Sequence, residues 1–168
     1  MNMKLKKFVI FSILLILCNQ LTAYSVYRKA PGISLLNRNG NFTTLAGLNR
    51  NKNIILSFWA TYCVPCKAEM PRLAELENKY AAAKNLRLVF ISIDGESEKD
   101  AALAMLNGMG INSECLFDIY QVTAKKYIPD LKIPASFLID RNGYIVFEMR
   151  GGREEDLASL EKAIQSLK

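Results

Sequence analysis

The chain has 168 residues, 51% of them apolar, and a formal net charge of +6. That length and composition suit one domain with a buried core and leave little chain for extensive disorder. There is no histidine, which excludes histidine-based catalysis, histidine metal ligands and a mixed cysteine–histidine copper site. Residues 1–68 hold nine of the 22 Lys and Arg and no acid. These charges are scattered and three fall in the first seven residues, so they read as a solvated surface rather than a nucleic-acid footprint. The cysteines are Cys18, Cys63, Cys66 and Cys115. With a single Cys-x-x-Cys, no four-thiolate zinc site is expected.

In chain order, residues 1–23 read as an export signal. Lys4, Lys6 and Lys7 form its positive region and Phe8 to Leu17 its apolar region,. Three readings stand side by side: a signal cleaved near Leu21-Thr22-Ala23, a lipid anchor at Cys18, and an uncleaved membrane anchor that borrows Leu21 to Val26. All three place the domain outside the cytoplasm, at the periplasm or the outer face of the membrane, where disulfides form. Residues 24–32 read as a linker. The domain proper is expected over 33–168. It opens with a hairpin, Ile33–Leu36 and Phe42–Leu45 around the turn Asn37–Asn41, followed by a polar connection over Ala46–Asn53.

Ile54–Phe58 is an apolar run that reads as a buried strand. Met70, Leu73, Leu76 and Tyr80 then recur at helical spacing, so a helix is expected to about Ala83. Leu86–Ile93 reads as a central parallel strand. A helix over Glu98–Met109, a short strand over Glu114–Phe117 and a short helix over Tyr120–Ile128 follow. Two strands, Ala135–Ile139 and Tyr144–Met149, flank the turn Asp140–Gly143, and a helix over Glu154–Leu167 closes the chain. The result is an α/β fold: a central mixed sheet with helices on both faces.

Cys63 and Cys66 sit where the Ile54–Phe58 strand gives way to a helix. The first turn of a helix has unpaired N–H groups and about half a positive charge, which favours a thiolate, the reactive form of cysteine. Pro65 suits that turn because its missing N–H has no helical partner to lose. Cys63, nearer the tip, is expected to attack and Cys66, one turn on, to resolve. The bland alternative is a structural disulfide or half of a metal site. Trp59 reads as a packing platform beneath the pair. Glu69 shares a helix face with Cys66 at i+3, the alternative being an ordinary surface glutamate. Pro71 cannot donate to the Lys67 carbonyl and is expected to kink the helix. Cys115, in a short apolar strand, reads as a buried and inert thiol.

The stretch Trp59-Ala60-Thr61-Tyr62-Cys63-Val64-Pro65-Cys66-Lys67-Ala68-Glu69-Met70-Pro71 resembles the active site of the thioredoxin superfamily, and within it the TlpA/ResA-type exported thiol–disulfide oxidoreductases. The resemblance runs from about Ala30 to the C-terminus. It implies a thioredoxin-like fold with an N-terminal β-hairpin and an extra strand–helix insert over about Gly95–Phe117. It implies an enzyme with no cofactor beyond a redox-active Cys63–Cys66 disulfide, and no metal. Cys63, Cys66 and Glu69 would be its catalytic residues, Glu69 tuning the thiols. Trp59, Tyr62, Ile133 and Pro134 would form the substrate site, with Ile133-Pro134 in the family's cis form beside the cysteines. Ser57 departs from thioredoxin, which carries a buried aspartate there. Val64-Pro65 supplies no positive charge between the cysteines, so a reductant, or at least a weak oxidant, is expected. The implied partners are disulfide-bearing exported proteins, such as apocytochrome c or copper-site cysteines, with a membrane thiol reductant as electron donor and a membrane tether through the N-terminus. Other readings are a redox-inert surface binding lipoprotein and a peroxiredoxin-like peroxidase; the latter calls for Thr where Ala60 stands.

Overall fold

The structure is a computed structural model that describes residues 27–168; the stretch read as an export signal, with its three alternative readings at Leu21–Ala23, Cys18 and Leu21–Val26, lies outside the described residues. Strand β1 (Arg28–Lys29) pairs antiparallel with the far edge of the sheet, against Ile145 and Tyr144. It falls inside the stretch read as a linker. Two charged residues carry no apolar pattern, and they form a strand because a sheet edge offers them unpaired N–H and C=O groups. Tyr27 stacks on Tyr144 at 4.7 Å beside it.

The expected hairpin is β2 (Ser34–Asn37) and β3 (Phe42–Thr44). The connection after it is not wholly irregular. Leu45–Leu48 form a one-turn helix, α1, capped by Thr44, whose Oγ1 accepts from the Gly47 N–H at 3.1 Å,. Leu45 and Leu48 both face the core. The central strand β4 (Asn53–Trp59) is buried along its whole length, as a near-continuous apolar run predicts. It leads into α2 (Val64–Tyr80), which continues through Pro71. Next come β5 (Leu86–Ser92), a 3-10 turn at Glu96–Glu98, α3 (Lys99–Gly108) and β6 (Glu114–Phe117). The remaining elements are α4 (Val122–Tyr127), β7 (Ala135–Ile139), β8 (Tyr144–Arg150) and α5 (Glu154–Ser166).

The strands form one mixed sheet in the order β1-β8-β7-β4-β5-β6-β2-β3. β4, β5 and β6 run parallel, and the other pairings are antiparallel. The expected insert supplies α3 and β6, and β6 is the strand on which the β2–β3 hairpin docks. Between β7 and β8, Asp140 Oδ1 accepts from the N–H groups of Asn142 and Tyr144, while Gly143 takes φ +81, a region that glycine enters without steric cost,.

Alternation along β4 and β7 sends their side chains to two different faces. Phe58 and Phe137 meet Tyr127 of α4, with ring centroids 5.3 and 5.2 Å away. Ser57 and Ser136, paired across the two strands, lie on the opposite face, where Ser136 bonds to Glu69 of α2. That second face carries the chemistry.

Candidate active site

β4 ends at Trp59, and the loop to α2 is held from both sides. The Thr61 N–H and hydroxyl both donate to the Asp94 carboxylate, at 3.0 and 2.8 Å. The Ser92 hydroxyl donates to the same group at 2.8 Å. The Trp59 carbonyl accepts from the Ile93 N–H at 2.9 Å. Asp94 is buried and is a residue that sequence reasoning missed. Its only signal is a Ser-x-Asp pattern at the end of a strand, which does not say what the acid will hold.

Cys63 is the N-cap of α2, and Val64 and Pro65 begin the helix. Cys63 and Cys66 are joined in a disulfide with Cα atoms 5.3 Å apart. The Cys66 N–H, otherwise an orphan of the first turn, donates to Cys63 Sγ at 3.2 Å. A negative charge that develops on that sulfur is met by this N–H and by the positive end of the helix. Cys63 is 6% exposed and Cys66 1%, so the first cysteine is the more accessible of the two. Tyr62 and Val64 stand on either side of Cys63 at 68% and 72% exposure.

Trp59 was expected at the substrate surface as well as beneath the pair. It is fully buried and meets Phe90 edge-on at 6.4 Å, so no substrate can touch it and only the packing role stands. Glu69 is likewise no surface residue. It is buried, its Oε1 accepts from the Ser136 hydroxyl at 3.0 Å, and its Oε2 has no partner among the described residues. Burial pushes its carboxyl up to about 7; the Ser136 hydrogen bond opposes that rise and the nearby charge of Asp156 adds to it,.

The Ile133–Pro134 bond is cis. Ala135 pairs with Phe58, so Pro134 lies just beyond the end of β4, at the same end of the sheet as Cys63. Its carbonyl accepts from the Gly151 N–H at 3.0 Å. Among the described residues, neither the N–H nor the C=O of Ile133 has a hydrogen-bond partner. Cys115 stands apart: it is buried on β6, and burial pushes its thiol up to about 12. Among the described residues no cluster of His, Cys, Asp and Glu could hold a metal ion, and no helix is long and apolar enough to cross a membrane.

A mixed sheet flanked by helices, with a Cys-x-x-Cys disulfide at the tip of the helix that follows its central strand and a cis-proline at the same end, defines a thioredoxin-fold thiol–disulfide oxidoreductase. The family follows from comparison: the chain belongs to the AhpC/TSA family, whose pattern matches residues 26–148. It is 30% identical to the thiol-disulfide oxidoreductase ResA of Bacillus thuringiensis, over 77% of this chain and 72% of that one. It is 28% identical to ResA of Bacillus subtilis, over 94% and 92% of the two chains. Among solved structures, one from Chlorobium tepidum assigned as a thiol:disulfide interchange protein DsbE superposes with a TM-score of 0.75 at 28% identity, covering 86% of this chain and 98% of that one. A thioredoxin-like protein from Porphyromonas gingivalis gives 0.69 at 31% identity, covering 82% and 90%.

Proposed function

We propose that this protein reduces disulfides of exported proteins by dithiol exchange at Cys63 and Cys66. The observation that carries the reading is the disulfide at the N-terminus of α2, with Cys63 the more exposed cysteine and an N–H directed at its sulfur. The Cys63 thiolate attacks one sulfur of a substrate disulfide. A Cys63–substrate bond forms, the substrate S–S bond breaks, and its other sulfur leaves as a thiolate. The Cys66 thiol gives up its proton and attacks Cys63 Sγ, which releases the second substrate thiolate and leaves the Cys63–Cys66 disulfide. Two electrons have passed to the substrate. A membrane thiol reductant restores the dithiol.

Glu69, one turn beyond Cys66 and poised near neutrality, serves as the proton partner of the thiols. Ser57 offers no acid at the strand position, so this buried carboxyl takes up that task. The N–H and C=O of Ile133, unpaired among the described residues, pair with extended substrate backbone beside Cys63, while Tyr62 and Val64 form an apolar rim. Pairing through backbone reads few side chains, which suits several substrates, apocytochrome c or copper-site cysteines among them. The neutral Val64-Pro65 pair supports a reductant, and the lysine-flanked apolar segment at the N-terminus supports action outside the cytoplasm, tethered or released.

Reduction of insulin disulfides with a thiol donor tests the reading. Turnover is expected, with a redox potential well below ~−120 mV, the strong-oxidant value. No turnover returns the protein to the redox-inert binding reading. A Cys66→Ala variant incubated with exported proteins should retain its substrates as mixed disulfides on Cys63.

A further inference from the structure

We infer that Ser136 and Gly152 form a socket that orients the Glu69 carboxyl, so that Ser136 is a positioning residue for the exchange site. The inference rests on the reading in which Glu69 serves the thiols. Among the described residues Ser136 Oγ is the only hydrogen-bond partner of the carboxyl, at 3.0 Å from Oε1, and the buried Oε2 has none. On the other side lies Gly152. A Cβ there would come within 2.7 Å of Oε2 and 3.3 Å of the Glu69 Cβ, so any larger residue would push the carboxyl from its place.

Both walls are anchored to the proline loop. Ser136 follows Pro134 by two residues, and pairing with Ser57 and Met149 on the neighbouring strands fixes its backbone. Gly151 donates to the Pro134 carbonyl at 3.0 Å, which ties the Gly151-Gly152 segment to the same loop. The loop that would meet substrate and the socket that holds the acid are therefore one unit. Among the described residues, the charged group that acts on Glu69 is Asp156 on α5, itself paired with Arg153; Ser57, Ser136 and Met149 on β4, β7 and β8 do not titrate, and Cys66, one turn earlier on α2, is held in the disulfide. A hydroxyl that donates to a carboxylate stabilises the ionised form. Without it, burial and Asp156 act unopposed and the proton is kept to higher pH.

The test uses the full chain in its oxidised form. The infrared carbonyl band of protonated Glu69, assigned by its loss in Glu69→Gln, is followed against pH. Ser136→Ala should raise the midpoint by about one pH unit, the size of one hydrogen bond to a charged group, and Ser136→Thr should restore it. Gly152→Ala, read the same way, should displace the midpoint and do so non-additively with Ser136→Ala. A folded Ser136→Ala protein with an unmoved midpoint, or additive effects of the two substitutions, overturns the inference. The pH profile of Cys63 alkylation in the reduced protein is measured in parallel. A midpoint that moves while the thiol profile does not supports the socket and overturns the role given to Glu69.

Discussion

The two faces of the β4–β7 strand pair differ in what they bury. Toward α4 the contacts are aromatic and closed: Phe58, Phe137 and Tyr127 interlock, and the one polar group among them, the Tyr127 hydroxyl, donates to the Pro31 carbonyl at 2.6 Å. Toward α2 the same strands bury Ser57, Ser136 and Glu69, with the disulfide at the helix tip and two polar atoms, Glu69 Oε2 and Trp59 Nε1, without partners among the described residues. An unpaired buried polar atom costs free energy that an apolar one would not. One face thus carries stability and the other gives some of it up for chemistry, although neighbouring residues of the same strands build both.

The division is broken or sharpened first at the cysteines. Cys63→Ser should abolish insulin reduction, and Cys66→Ser should abolish turnover while mixed disulfides accumulate. In the reduced wild-type protein, iodoacetamide at mildly acidic pH should label Cys63 before Cys66. The reverse order would exchange their roles.

On the closed face, Phe137→Ala should cost about 3–5 kcal/mol in denaturant unfolding, because it empties the centre of the aromatic cluster. The folded fraction should keep its redox potential. A changed potential would mean that the two faces are not independent.

Glu69 lies between these extremes. Its carboxyl is raised from 4.5 to about 7 in the folded chain, so folding favours the protonated form. The stability that goes with this is full below about pH 4.5, falls as pH rises, and is lost above the folded value near 7; the whole span is about 3 kcal/mol. Glu69→Gln, which cannot ionise, should flatten this decline when unfolding free energies are compared between pH 5 and pH 8. A decline of equal size in the variant would assign it to other groups.

The smallest effect is expected at Asp94→Asn. The amide keeps the shape but presents N–H where Thr61 or Ser92 also donates. A loss of about 2 kcal/mol is expected, together with slower exchange, because the loop before Cys63 is less firmly held. Stopped-flow reduction of a model disulfide measures the rate.

Local pattern carried most of this protein in its sequence. Continuous apolar runs marked β4 and β5 because strands covered on both faces have no polar side. The cysteine spacing after β4 marked the helix tip because that chemistry needs only neighbouring residues. Where the sequence fell short, the deciding group came from elsewhere in the chain. β1 is a strand only because β8 offers an edge. Asp94 holds Thr61 from 33 residues away. Trp59 reads from the sequence both as a platform and as part of the substrate site, and its full burial against Phe90 leaves only the first.

Glu69 shows the boundary most plainly. Its i+3 spacing from Cys66 put both on one helix face, and the sequence by itself determined that much. Whether that face met water or the sheet depended on how α2 packs over Ser136 and Gly152, residues 67 and 83 positions further along. Burial is a property of the assembled layers, not of a local stretch. Only the tertiary structure could make this carboxyl a group that titrates near neutrality.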